Sequence, residues 1–205
     1  MVRKSNAGSV TLERRARRAL AVRGAILRAA AGVFRERGFA ETGMREIAAA
    51  ADLSPGNLYY YFKSKADILY FCQDHSVGRM LETTAQLDRD ALAPAERLRR
   101  VIAAHLVCML DELDGAAAHT EVDALPPALR KRIIAKRDRY ERAVRQIIVE
   151  GVRRGVFVDT DPTLTTRAIL GALNWTTRWY RPGGRLAPAA VAEAFAAYLV
   201  RGLLA

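Results

Sequence analysis

TGMREIAAAADLSPGNLYYYFKSK, residues Thr42–Lys65, is the stretch that decides how this chain is read. Met44, Ile47, Ala48 and Ala51 recur at helical spacing and give a short helix one apolar face. Thr42 stands ahead of that face, where its hydroxyl can take up orphan N–H groups. Asp52-Leu53 makes a tight turn. Ser54 is then a second N-cap, and Pro55 falls at the first helical position, where a missing N–H costs nothing. Leu58 and Phe62, four apart, point inward. Gly56, Asn57, Tyr59, Tyr60 and Tyr61 are left for the opposite face.

That second helix has the chemistry of a segment that enters a DNA groove. Its first turn is small, so the backbone can approach a major groove and Asn57 can meet a base edge. Tyrosine hydroxyls donate to phosphates or bases, and their rings touch thymine methyl groups. Lys63 and Lys65 follow as phosphate partners, which fix register without reading sequence. The alternative is an ordinary helical hairpin whose aromatics belong to the core. Three consecutive tyrosines weigh against it, because they point around the helix and cannot all face inward.

The pattern T-x-x-x-x-I-A-x-x-A-x-L-S-x-G-x-L-Y-Y-Y-F-x-S-K resembles the helix-turn-helix of the TetR family of bacterial repressors. The likeness runs without gaps from about Ala25 to Leu69. It implies that Thr42 and Arg45 touch phosphates or a base from the supporting helix. It also implies that Ser54, Pro55, Gly56, Asn57, Tyr59 and Tyr61 belong to the groove-facing segment, with Tyr60 and Lys65 holding the DNA backbone. One departure is Ala51-Asp52 in the turn, where the family usually has Ala-Gly. Aspartate tolerates a left-handed backbone, so the turn survives with slightly more strain.

Composition agrees. Of 205 residues 51% are hydrophobic, enough for a sizeable core, and Lys plus Arg exceed Asp plus Glu by 11. The isoelectric point near 10.2 suits a polyanionic partner. Between Arg3 and Arg28 eight basic residues face the single acid Glu13. Such a run is either a solvated tail or an arm along phosphates or a minor groove, which raises affinity and salt dependence but not specificity. No apolar run is long enough to span a bilayer, and no apolar core follows the basic N-terminus as in a secretory signal. Cys72 and Cys108 fall in separate apolar helical segments and read as buried reduced thiols. The expected location is the bacterial cytoplasm, at the nucleoid, without membrane contact.

The fold class expected is all-α. A basic flexible arm is assigned to residues 1–20, a three-helix reading domain to 21–66, and an effector-binding and dimerisation domain to 67–205. The first helix is placed at 21–38, with Ile26, Ala30, Val33 and Phe34 inward and Gly38 at its end. A connecting helix is expected from Lys65 to about Leu87. Pro94 opens another to about Leu113, striped by Leu98, Ile102, His105, Leu106 and Met109; Gly115 and a run of alanines follow it. Pro126-Pro127 restarts the chain into a helix reaching Arg154, with Ile133, Ile134, Val144, Ile147 and Ile148 inward and Gly155 as its stop. Asp161 caps the next helix, which runs to Tyr180. Arg181-Pro182-Gly183-Gly184 is a break, and Pro188 opens the last helix with Val191, Phe195, Tyr198, Leu199 and Leu203 on one stripe.

Small residues on the last two helices permit close approach, while Leu173, Phe195, Tyr198 and Leu199 supply area. They are either one subunit's core or a dimer interface. The TetR resemblance implies the latter, because that family pairs through its final two helices. A homodimer also demands a double-stranded, pseudo-palindromic operator. Asn174, Trp175, Arg178 and Trp179 form the most distinctive cluster: an aromatic wall, a guanidinium and an amide, suited to a planar anion such as coenzyme A. Tryptophan on a helix is equally consistent with plain core.

The Arg-Trp-Tyr-Arg-Pro-Gly-Gly run, 178–184, resembles TetR regulators of fatty-acid, sterol and aromatic-acid breakdown, whose inducers are acyl-coenzyme A thioesters. That resemblance implies a small-molecule effector whose acyl part lies among the middle helices, near His105 and Met109, with Cys108, Glu121 and Tyr140 as further lining. His105 also reads as a satisfied core histidine. In some relatives an aromatic residue and another Arg precede the Arg by one and two turns; here Asn174 and Leu170 stand there.

No Gly-rich phosphate loop, Cys/His metal spacing or nucleophile–base pair is present in the sequence, so an enzyme is not expected, nor a cofactor other than such an effector. Two other readings remain: a TetR-type repressor sensing a drug or other hydrophobic compound, and an architectural DNA-binding protein with no effector.

Overall fold

The computed structural model describes residues 6–110 and 121–205. Among them the chain is eight α-helices: α1 Asn6–Glu41, α2 Met44–Ala50, α3 Pro55–Tyr61, α4 Lys65–Arg89, α5 Pro94–Leu110, α6 Pro127–Arg153, α7 Pro162–Trp179 and α8 Pro188–Arg201. The all-α expectation is met. Among the described residues no helix is long and apolar enough to cross a membrane.

Helix starts follow from capping chemistry. Ser54 Oγ accepts from Asn57 N–H at 3.2 Å, Ser64 caps α4, and Asp161 Oδ1 accepts from Leu164 N–H at 2.8 Å. Proline opens α3, α5, α6, α7 and α8 at or beside the first helical position. Stops follow from the left-handed region: Gly155 has φ 67° after α6, and Gly183 has φ 73° in the break before α8.

Two elements depart from the sequence reading. The first helix does not start at residue 21 but runs from Asn6, through residues that the sequence reading assigned to an arm. Thr11–Leu20, TLERRARRAL, is rich in strong helix formers, and their propensity carries the helix outward. The chain kinks at Gly38 (φ 79°, ψ 161°) before three more residues. In α6, Ile134 is exposed although it was expected inward; one position from the buried Ile133, it turns about 100° away. The end of the helix expected to reach Leu113, and the Gly115-alanine stretch after it, lie outside the described residues.

The apolar core runs without a break from Ile26, Ala30 and Phe34 on α1 to Val200 on α8. Helix α5 is its axis and packs against α4, α6, α7 and α8. The two ends of the molecule are joined through α4. Its Cys72 thiol approaches the Leu27 carbonyl of α1, and its Phe71 ring packs 5.3 Å from that of Phe62. Cys72 and Cys108 are both buried, and neither is in a disulfide among the described residues. At the far end the last residues are pinned beside the α6–α7 connection, where Val158 N–H donates to the Leu203 carbonyl at 2.9 Å. Phe157 there covers Gly151 so closely that a Cβ at that position would overlap its ring.

Candidate nucleic-acid interface and effector cavity

α2 and α3 meet at a turn that depends on one left-handed residue. Asp52 has φ 54°, the conformation expected of the residue replacing glycine, and Leu53 N–H closes back onto the Ala48 carbonyl at 2.9 Å. Leu58 is fully buried and anchors α3 from beneath. Pro55, Gly56 and Asn57 are exposed, and a Cβ on Gly56 would meet nothing within 4 Å. Tyr59 is 52% and Tyr60 84% exposed, far above the norm for aromatics that belong to a core. Tyr61 is half-buried and packed edge-on to Tyr60, ring centroids 5.2 Å apart, so it supports its neighbour more than it faces outward. Arg45 on α2 and Lys63 after α3 are exposed beside this face.

Two residues assigned to DNA from the sequence are engaged inside the head. Thr42 is 2% exposed and does not cap α2: its hydroxyl donates to the Gly38 carbonyl at 2.7 Å. Gly43 is the N-cap, and Glu46 accepts from its N–H at 2.7 Å. Lys65 donates to the carbonyls of Phe39, Ala40 and Thr42 at 2.9, 2.8 and 3.0 Å, and its ammonium sits 4.7 Å from the Phe39 ring centroid. All three of its donors are spent on carbonyls at the end of α1 and in the link to α2, so it clamps the start of α4 to the end of α1. Its position carried a signal for this. A lysine at the first residue of a helix sits at the positive end of the macrodipole, whereas its charge here meets the negative end of another helix.

A cavity of about 260 Å³ opens between α4, α5, α6 and α7. Val77 and Met80 come from α4, His105 and Met109 from α5, Arg137, Asp138, Tyr140 and Glu141 from α6, and Leu170 and Asn174 from α7. Of the residues named from the sequence, His105, Met109, Asn174 and Tyr140 are brought together here. Cys108 is buried but does not line the cavity, and Glu121 is exposed away from it. The sequence reading missed the α4 wall and Arg137. Buried Val77 and Met80 are three apart, but that spacing is shared by every core residue of α4.

His105 Nδ1 and the Tyr140 hydroxyl lie 3.1 Å apart, with both residues buried. Burial lowers the imidazole to about 4, so the ring is neutral at physiological pH, and burial also pushes the phenol upward. Among the described residues, His105 Nε2 is buried without a hydrogen-bond partner. The Asn174 side chain comes near enough to this ring to favour its charged form, but does not close a bond to Nε2.

Trp175, Arg178 and Trp179 are not in the cavity. Residues 170, 174 and 178 form one ridge of α7, so Arg178 stands one turn beyond Asn174, exposed at the cavity's end. Trp175 and Trp179 are turned roughly 100–140° from Asn174. Trp175 is 65% exposed, and Trp179 stacks on Phe195 of α8 at 6.1 Å. Leu164 and Tyr198, the latter 80% exposed, widen this apolar face, and half-buried Leu199 lines a groove in it. Tyr198 therefore points outward from α8, away from buried Val191 on the same expected stripe. Leu173 is corrected the other way: at 1% exposed it is core of its own subunit and offers nothing to a second copy.

Two family profiles match the chain. "Bacterial regulatory proteins, tetR family" covers residues 26–70, and "Tetracyclin repressor-like, C-terminal domain" covers residues 91–203. The chain is 29% identical over 188 residues to the HTH-type transcriptional repressor KstR2 of Mycobacterium tuberculosis, spanning 88% of this chain and 92% of that one. The solved structure of that ketosteroid transcriptional regulator is similar with a TM-score of 0.79. The TetR family transcriptional regulator PfmR from Thermus thermophilus is similar at 35% identity and a TM-score of 0.78, over 88% of this chain and 99% of that one. AibR in complex with isovaleryl coenzyme A and operator DNA is similar at 25% identity and a TM-score of 0.74, over 89% and 98%.

Proposed function

The chain belongs to the TetR family of bacterial regulatory proteins, and from that premise we propose that this DNA-binding regulator is a repressor released from its operator by an acyl-coenzyme A thioester. Arg45, Pro55, Gly56, Asn57, Tyr59 and Tyr60 form the groove-facing surface, with Ser54 setting the start of α3. Two copies pair through the outer face of α7 and α8, contributed by Trp175, Trp179, Phe195, Tyr198 and Leu199. One seven-residue recognition helix reads too few base pairs to compete with nonspecific sites, so a two-fold dimer on a pseudo-palindromic operator is required.

The observation that carries the effector reading is the α7 ridge Leu170–Asn174–Arg178. It leads from a cavity of mixed apolar and polar lining to an exposed guanidinium with no ion pair among the described residues. The acyl group occupies the cavity, and Arg178 meets the anionic part of the coenzyme outside it. One of the similar proteins points the same way, having been solved with isovaleryl coenzyme A and operator DNA. Helix α4 couples the sites. It carries Val77 and Met80 on the cavity wall and Lys65, about 18 Å away along the helix, on the reading head. An effector shifts the head only through differential affinity for two arrangements of α4.

A gel-shift on DNA upstream of the protein's own gene, titrated with coenzyme A thioesters, tests this. Release by a thioester supports the proposal; Arg178→Ala then binds operator normally but needs at least about tenfold more effector. A cationic hydrophobic compound is the second reading, favoured by Asp138 and Glu141 on the cavity lining. Release by a cationic dye and not by any thioester would select it.

A further inference from the structure

The polar pair at the centre of the cavity fixes what kind of atom it receives. A buried phenol hydrogen needs an acceptor, and His105 Nδ1 at 3.1 Å is the partner the Tyr140 hydroxyl has. Nδ1 therefore accepts, and the single proton of the neutral imidazole sits on Nε2. Nε2–H is then a donor, on a residue 4% exposed and lining the cavity, and among the described residues no acceptor closes a hydrogen bond to it, the nearby Asn174 amide included. A donor buried in this way is costly until something supplies an oxygen. The burial that keeps the ring uncharged also favours a neutral oxygen over a carboxylate.

The cavity also fixes size. An apolar cavity of about 150 Å³ accepts benzene, so 260 Å³ corresponds to about ten non-hydrogen atoms. Val77, Met80 and Met109 supply apolar wall for an acyl group, beside the charged side chains of Arg137, Asp138 and Glu141. Straight-chain thioethers adjust to the shape of a small occupant but do not double the space. A four-ring sterol acyl group or a hexadecanoyl chain is about twice too large.

We propose that the cavity takes a small acyl group, of about ten non-hydrogen atoms or fewer, whose carbonyl oxygen accepts from His105 Nε2–H, with Tyr140 as the residue that holds the ring in that tautomer. This deepens the thioester reading and rests on it for the coenzyme, but not for the cavity itself. Discrimination against an occupant lacking the oxygen is large, because its binding leaves the N–H buried and unpaired.

Calorimetric titration of the full chain tests it with two sets of probes. The first set is butanoyl-, octanoyl- and hexadecanoyl-coenzyme A; the two shorter thioesters bind at least about tenfold more tightly than the longest. The second is acetophenone and ethylbenzene, alike in shape but for the oxygen; the ketone binds at least about tenfold more tightly. His105→Leu abolishes the ketone's advantage and weakens butanoyl-coenzyme A, while His105→Gln, which retains a side-chain N–H, restores part of both. Operator binding and Tm report whether each variant is folded. Should the leucine variant fail to fold, Tyr140→Phe reads the same point, because losing the tautomer lock lowers the ketone's advantage. Ketone binding that depends on His105, with no thioester binding, upholds the cavity and removes the coenzyme. Equal binding of ketone and hydrocarbon, preference for the hexadecanoyl thioester, or binding by none of the probes overturns the proposal.

Discussion

His105 is neutral because it is buried, and that couples its titration to stability. Its folded value is lowered to about 4, against about 6.5 in the unfolded chain, so below pH 6.5 the unfolded state binds more protons. Stability is full above pH 6.5, falls as the pH drops toward 4, and loses about 3 kcal/mol across that window. Tyr140, Asn174, Arg137 and the carboxylates Asp138 and Glu141 share the cavity with it. Wild type and His105→Gln are therefore compared by denaturant unfolding at pH 7 and pH 4.5; the wild type loses more, the difference being the histidine's share. An equal loss in both would show that the ring is solvated. At this scale the site was legible in part. His105 and Met109 fall on one apolar helical stripe and Asn174 stands one turn before Arg178, so each could be named from the sequence, whereas the His105–Tyr140 pair, 35 residues apart, depends on how α5 and α6 are placed.

Lys65 shows what an element can conceal. Its place in the motif suggests a phosphate partner, yet it closes the end of α1 with three hydrogen bonds and stacks its charge on Phe39. Lys65→Met is expected to cost about 2 kcal/mol, or roughly 4–8 °C in Tm, and to weaken DNA binding through loss of the head's geometry. Lys63→Met, at an exposed position, leaves Tm unchanged and lowers the salt slope of DNA binding by about 1. Thermal melts and salt titrations of the two variants separate clamp from phosphate contact; matching behaviour would refute the clamp. Element boundaries were readable wherever local chemistry sets them: Ser54-Pro55, Asp161-Pro162, Pro188 and Gly155 each act within one turn. Asp52 adopts the left-handed turn its place in the motif requires. Facing is less readable, as Thr42 and Leu173 show. Both were assigned to outside partners, and tertiary packing turned both inward.

The molecule as a whole presents two surfaces that a lone subunit leaves unused: tyrosines on α3, and a tryptophan-tyrosine face on α7 and α8. Exposed aromatics grouped in this way mark sites of association. Trp175→Glu with Tyr198→Glu is expected to convert a dimer to a folded monomer in sedimentation velocity and to reduce operator affinity at least about a hundredfold. A variant that stays dimeric would move the interface elsewhere. The division of labour between the two tryptophans and Arg178 was invisible in the sequence, where all three sit in one run; the 3.6-residue period separates them only once the cavity marks which ridge of α7 faces inward. The most direct test of the whole account is fluorescence anisotropy of a labelled upstream duplex and a scrambled duplex, at about 0.15 M salt, with and without saturating butanoyl-coenzyme A. The expected result is at least about a thousandfold preference for the upstream duplex, lost when the thioester is added and absent in Tyr59→Ala. Equal affinity for both duplexes, or a preference that persists unchanged with ligand bound, would contradict it.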